Sequence, residues 1–156
     1  METYVVFKSL HLLGVVLFIG NIIVTGVWKV QADRTRDPRI VAFAQRQVIV
    51  TDWVFTLGGA VLTAIGGYGN VIYGGVSLAT SWVWLAHWIF LASGLVWLAV
   101  LVPLQVRMGR MARAFADGSP IPAAYWQANR WWLFVGIADT LLPAANIWVM
   151  VGKPVF

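Results

Sequence analysis

Phe7-Lys8-Ser9-Leu10-His11-Leu12-Leu13-Gly14 lies near the start of a long apolar run and sets a lysine and a histidine one helical turn apart within it. Ionisable side chains are costly in lipid, so in a membrane segment they usually face a bundle interior and serve a purpose there. Outward from this stretch, the run covers about residues 4–28. At ~1.5 Å rise per residue, that length crosses a ~30 Å hydrocarbon core with some tilt. Lys8, His11, Gly14, Asn21 and Thr25 recur at helical spacing. They form one inward stripe and leave the other faces to lipid.

Composition points the same way. Of 156 residues, 60% are hydrophobic and only 11% charged, which is the signature of a membrane chain. The formal net charge of +5 would suggest nucleic acid in a soluble protein. Here the basic residues gather in two connections, where the positive-inside rule accounts for them, and no nucleic-acid partner is expected. The chain has no cysteine, which excludes disulfides, thiolate metal sites, iron–sulfur clusters and covalently attached c-type haem. Met1-Glu2-Thr3-Tyr4 lacks the basic region and small-residue cleavage site of a signal peptide, so the first run is expected to stay as a span.

Three further spans follow, over about residues 48–69, 80–105 and 131–151. Asp37-Pro38 reads as a helix start, aspartate as cap and proline at the first helical position. Asp52, Thr56, Gly59, Thr63 and Gly66 make a second stripe of small and polar residues. The glycines of this helix, Gly58, Gly59, Gly66 and Gly67, are expected to be close-packing contacts. The Asn70–Ala79 connection is glycine-rich and carries no lysine or arginine. Span 3 holds His87 among Trp82, Trp84 and Trp88, with Pro103 expected to kink its far end. Arg107, Arg110 and Arg113 form the second basic connection, stopped by Asp117-Gly118-Ser119-Pro120. Pro122 then starts the last helix, whose inward stripe is Gly136, Asp139, Pro143 and Asn146. The expectation is an all-α integral membrane four-helix bundle, a single transmembrane domain over residues 1–156. Both basic connections are expected on the cytoplasmic side and both termini on the outer, periplasmic side.

With that topology spans 1 and 3 run in the same direction. His11 and His87, the two histidines of the chain, each lie about seven residues into their span, roughly 10 Å below the outer boundary at ~1.5 Å per residue. Alternate helices of a four-helix bundle lie diagonally across its core, and a porphyrin fits between them with one imidazole on each face of its iron. The sequence therefore points to haem b, iron being ligated by His11 and His87. Gly14 and Gly94 are expected to leave room for the macrocycle. Lys8 and Trp84, each one turn outward from a histidine, are expected at the propionates. Met150 offers a thioether, and so histidine–methionine ligation of haem or copper is an alternative. Two histidines without cysteine supply too few ligands for a zinc or copper site of their own.

Phe7-Lys8-Ser9-Leu10-His11-Leu12-Leu13-Gly14 followed by Phe18-Ile19-Gly20 resembles the first helix of the HemJ-type protoporphyrinogen oxidases, in which the histidine of a Lys-x-x-His is a haem ligand. The arginine and further histidine that follow that helix in those enzymes are absent here, as is their lysine deeper in the bundle. The resemblance therefore implies haem at His11 and does not carry over the oxidation of protoporphyrinogen. Over nearly its whole length the chain is similar to a bacterial family of small four-helix membrane proteins of unknown function (DUF2269-like). That likeness runs through Trp28-Lys29-x-x-Ala32-Asp33-Arg34-x-Arg36-Asp37-Pro38, Asp52-Trp53 and the Lys153-Pro154 ending. It implies a multi-pass protein of the bacterial inner (cytoplasmic) membrane. The general architecture is also shared with copper-resistance membrane domains of the D type.

The function expected is a membrane haem protein working in electron transfer or as an oxidoreductase on a small or quinone-like substrate, its catalytic residues unknown. Its expected partners are the bilayer, a quinone or redox protein, and a second copy in a homo-oligomer. A competing class is a haem-free scaffold or accessory subunit whose histidines only bond across helices. A transporter is a third, for which Pro143 is the one hint. Asp52 is expected to pair with an arginine of the basic connections. Asp139 is expected to take a donor such as Asn21 or Thr63, either tying the bundle or passing protons.

Overall fold

A computed structural model describes residues 2–155. Four helices are long and apolar enough to cross a membrane: α1 (Glu2–Thr35), α2 (Pro38–Gly74), α3 (Ser81–Ala114) and α4 (Ala123–Gly152). Each outruns the apolar span read in the sequence. The excess of α1 matters most, because Lys29 and Asp33, expected in a polar connection, are helical and buried. The turn shrinks to Arg36 and Asp37. As anticipated, Asp37 caps α2, its Oδ1 accepting from the Arg39 and Ile40 amides at 2.8 and 3.3 Å, with Pro38 at the first helical position. In the last connection Arg39 donates to the Asp117 carbonyl at 3.2 Å, tying the two basic turns together. The Ser119 hydroxyl and amide hold the Asp117 carboxyl below its usual range.

Two of these helices change pitch midway. α2 passes through a π-turn at Asp52–Leu57 and α3 through one at Trp97–Leu101. The second precedes Pro103, whose ring nitrogen has no hydrogen to return to the preceding turn. The wider winding lies where the missing proton would otherwise leave a gap in the hydrogen-bond ladder.

Small residues close one seam of the bundle. α1 packs on α2 along its length, and the stripes read in the sequence meet there. A Cβ on Gly59 would stand 2.6 Å from the Phe18 amide nitrogen and 2.8 Å from the Gly14 carbonyl; one on Gly66 would stand 2.6 Å from the Phe7 carbonyl. Backbone thus lies against backbone, and without a hydrophobic drive in lipid such contact is what holds helices together. α3 packs on α4 as a second pair.

The pairs join at the end where the arginines lie. Val41, Val48, Leu101, Met108, Ala112, Phe115, Tyr125 and Ala128 make one buried core of α2, α3 and α4. Towards the chain termini the pairs part, and α1 and α3, lying diagonally, make no close backbone approach. The space between the pairs is a cleft in the plane of the bundle interior.

Candidate functional site

Phe18, Phe90 and Ser93 divide the cleft into an outer cavity of about 540 Å³, towards the termini, and an inner one of about 730 Å³. Both volumes lie within the ~300–1,000 Å³ usual for small-molecule and cofactor sites.

His11 and His87 line the outer cavity from opposite helix pairs. His11 Nδ1 lies 2.8 Å from the Thr63 carbonyl of α2. A carbonyl only accepts, so Nδ1 carries a proton and Nε2 takes no part in this bond. Gly67 makes this bond possible, since a Cβ there would stand 3.3 Å from the same nitrogen. His87 Nδ1 lies 3.2 Å from the Tyr68 hydroxyl, again on α2, with the two rings edge to face at 5.9 Å. In each imidazole the nitrogen near the backbone is engaged, leaving Nε2 for other use. A histidine that ligates a metal is commonly oriented in this way. Lys8, exposed, lines the same cavity with its ammonium 5.6 Å over the Tyr4 ring. Met150, Asn70 and Asn146 also line it, and the side-chain carbonyls of the two asparagines are buried without a partner. Among the described residues no three histidine or carboxylate side chains converge on one point as a metal site.

The other residues singled out in the sequence lie elsewhere. Gly14 faces Gly59 and Thr63 of α2, and its missing Cβ is taken up by that contact instead of by space for a macrocycle. A glycine on an inward stripe serves close helix approach as readily as a cavity. Trp84 is 53% exposed on the outer face, edge to face with Trp88. It lies one turn from His87, but the cavity is on the other side of the helix. Gly94 lines the inner cavity, away from His87.

Two polar clusters lie deeper. Asp52, buried on α2, accepts from Asn21 of α1 at 2.9 Å, from Thr56 at 3.0 Å and from Gln105 of α3 at 2.5 Å. These partners replace the arginine expected for it, because Asp52 faces the seam and the arginines lie nearer the bundle end. Asn21 is thereby committed to Asp52, and the Thr63 hydroxyl donates to the Gly59 carbonyl, so neither serves Asp139. That carboxyl lies beside Ser93, with Oδ1 buried and unpartnered in the inner cavity.

The second cluster went unrecognised in the sequence. Lys29 is fully buried and reaches Asp33 at 2.5 and 2.6 Å and the Asn129 side-chain oxygen of α4 at 3.1 Å. Asn129 returns a bond to Asp33 at 2.9 Å, and the ammonium stands 5.5 Å over the Tyr125 ring. Opposite charges four residues apart were the signal available, since that spacing puts them on one face of a helix.

The profile of the DUF2269 family, described as a predicted integral membrane protein, matches residues 5–154. No curated protein and no solved structure matches the chain. With four membrane-length helices and a family match over almost all of its length, this chain belongs to the DUF2269 family of integral membrane proteins.

Proposed function

We propose that the outer cavity binds haem b, with His11 and His87 as axial ligands through Nε2 and Lys8 at a propionate. One observation carries this reading. Two histidines on helices that do not touch open onto one cavity, each held through Nδ1 by α2. Bis-histidine haem supplies one-electron transfer between the ferric and ferrous states. The chain's own residues would do the rest. The Thr63 carbonyl and the Tyr68 hydroxyl fix ring orientation and raise the basicity of the ligands. Phe18 and Phe90 close the apolar floor, and exclusion of water there tunes the potential. Gly14 packs on α2, Trp84 is exposed and Gly94 borders the inner cavity, so this reading does not rest on them.

The protein would sit in a bacterial inner membrane, its arginine-rich end cytoplasmic and both termini outside, passing electrons to or from a quinone or a redox protein. The competing reading is a haem-free scaffold, favoured by the bonds both histidines already make to α2. Titrating haemin into detergent-purified, haem-free protein separates the two. Saturation at one haem per chain supports the proposal. Absence of saturable binding overturns it in favour of the scaffold.

A further inference from the structure

At the arginine-rich end, α1 and α4 enclose a separate cleft of about 570 Å³. Three arginines line it, Arg34, Arg36 and Arg130. All three are exposed, and none has a carboxylate partner among the described residues, where the one ion pair is Lys29–Asp33. Asp33 also borders the cleft, but Lys29 neutralises its charge. The cleft is therefore a net positive recess with nothing to balance it.

Arg36 is held there at a cost. It follows the end of α1 with φ of 56°, the left-handed position that glycine usually takes after a helix. A residue with a side chain adopts that conformation only against steric resistance. Its guanidinium carbon lies 4.4 Å from the centroid of the Trp126 ring, a cation–π contact that holds the group beside the cleft without using its N–H donors. Guanidinium forks with free donors suit the bidentate recognition of phosphate oxygens.

Beneath the cations the wall turns apolar. Val30 and Leu133 line this cleft and also the inner cavity, as does Arg34. A cationic mouth thus adjoins an apolar wall that it shares with the inner cavity. The other basic residues of this end lack that arrangement. Arg39 is committed to Asp117, and Arg107, Arg110 and Arg113 lie exposed along α3 outside the cleft.

We infer that this cleft is a binding site for an anionic phospholipid, its phosphodiester held by Arg34, Arg36 and Arg130 and one acyl chain lying over Val30 and Leu133. Basic pockets between transmembrane helices are known to select such headgroups. The site does not depend on haem.

Native mass spectrometry of the delipidated full chain, titrated with phosphatidylglycerol or phosphatidylcholine in the same detergent, tests it. The expected result is preferential binding of phosphatidylglycerol, weakened at least about tenfold by Arg36→Gln with Arg130→Gln. Arg110→Gln with Arg113→Gln removes the same charge outside the cleft and is expected to leave binding within about twofold of the wild type. Both pairs are exposed, and an unchanged thermal midpoint confirms that each variant is folded. Equal loss in the two double variants would reduce the effect to general basicity and overturn the site. Equal affinity for the zwitterionic lipid would overturn it as well. Displacement of the lipid by millimolar inorganic phosphate, with the same dependence on Arg36 and Arg130, would assign the cleft to a soluble phosphate instead.

Discussion

Gly58 and Gly59 are neighbours in sequence with opposite surroundings, and replacing each by alanine tests the seam that positions His11. An added Cβ at Gly58 meets nothing within 4 Å, whereas at Gly59 it stands 2.6 Å from the Phe18 nitrogen. The obstruction at Gly59 is backbone, which no rotamer change can clear. Relief to ordinary contact requires α1 to withdraw from α2 by roughly 1 Å, which a closely packed seam resists. Overpacking of this kind costs about 1–3 kcal/mol. In a chain of this size each kcal/mol moves the thermal midpoint by ~2–4 °C, so Gly59→Ala is expected to lower it by roughly 2–12 °C. Gly58→Ala removes only a helix-disfavouring glycine and is expected to be neutral or stabilising by up to ~1 kcal/mol. The assay is thermal unfolding in one detergent at fixed protein concentration. Equal shifts in the two variants, or an unperturbed Gly59→Ala, would refute backbone contact along the seam.

Substitutions at Lys29, Asp52 and Tyr125 probe the buried polar clusters by the same unfolding measurement, and one at Gly67 is read by haemin titration. Lys29→Met leaves the Asp33 carboxylate buried without its cation and is expected to cost about 3–5 kcal/mol; Lys29→Met with Asp33→Leu should recover much of that loss. Asp52→Leu strands the Gln105 amide and leaves Asn21 only its bond to Thr56, and is expected to cost about 1–3 kcal/mol, whereas Asp52→Asn keeps an acceptor and should cost less. Tyr125→Phe removes the 3.2 Å bond to Gln45 and is expected to cost about 0.5–1.5 kcal/mol. Gly67→Ala crowds His11 Nδ1 and should weaken haem binding with little change in stability, since it touches only the ring.

Much of the fold was legible because lipid imposes a plain code: apolar length and helical stripes of small residues. Asp37 and Pro38 announced the start of α2, and Gly59 and Gly66 announced the seam; Gly58, expected to pack closely as well, is turned away from it, and a Cβ there meets nothing within 4 Å. What escaped were choices among equivalent inward positions. Gly14 and Gly94 share a helical face with the histidines, yet spacing alone cannot say whether a neighbouring helix or a cavity fills the gap a glycine leaves. Trp84 was assigned to the cavity from sequence distance along α3, where the missing fact was the rotation of the helix about its axis. Lys29 was read as the edge of a loop because charge usually ends a membrane span. Its partner Asn129 lies 100 residues away, out of reach of any local pattern. Asp52 shows the same limit: the π-turn that begins at it and the approach of Gln105 from α3 are set by packing of three helices.

The proposed ligation is tested most directly by absorption spectra of the purified protein, ferric and dithionite-reduced, with and without carbon monoxide. His11→Ala and His87→Ala are measured beside the wild type. With both imidazoles on the iron, the wild type should show a low-spin b-type spectrum that carbon monoxide does not change. Each variant should lose that spectrum, either by losing haem or by opening a position that carbon monoxide takes. A colourless protein after haem-supplemented expression, or a low-spin spectrum that survives in both variants, would contradict the assignment of His11 and His87 to one haem.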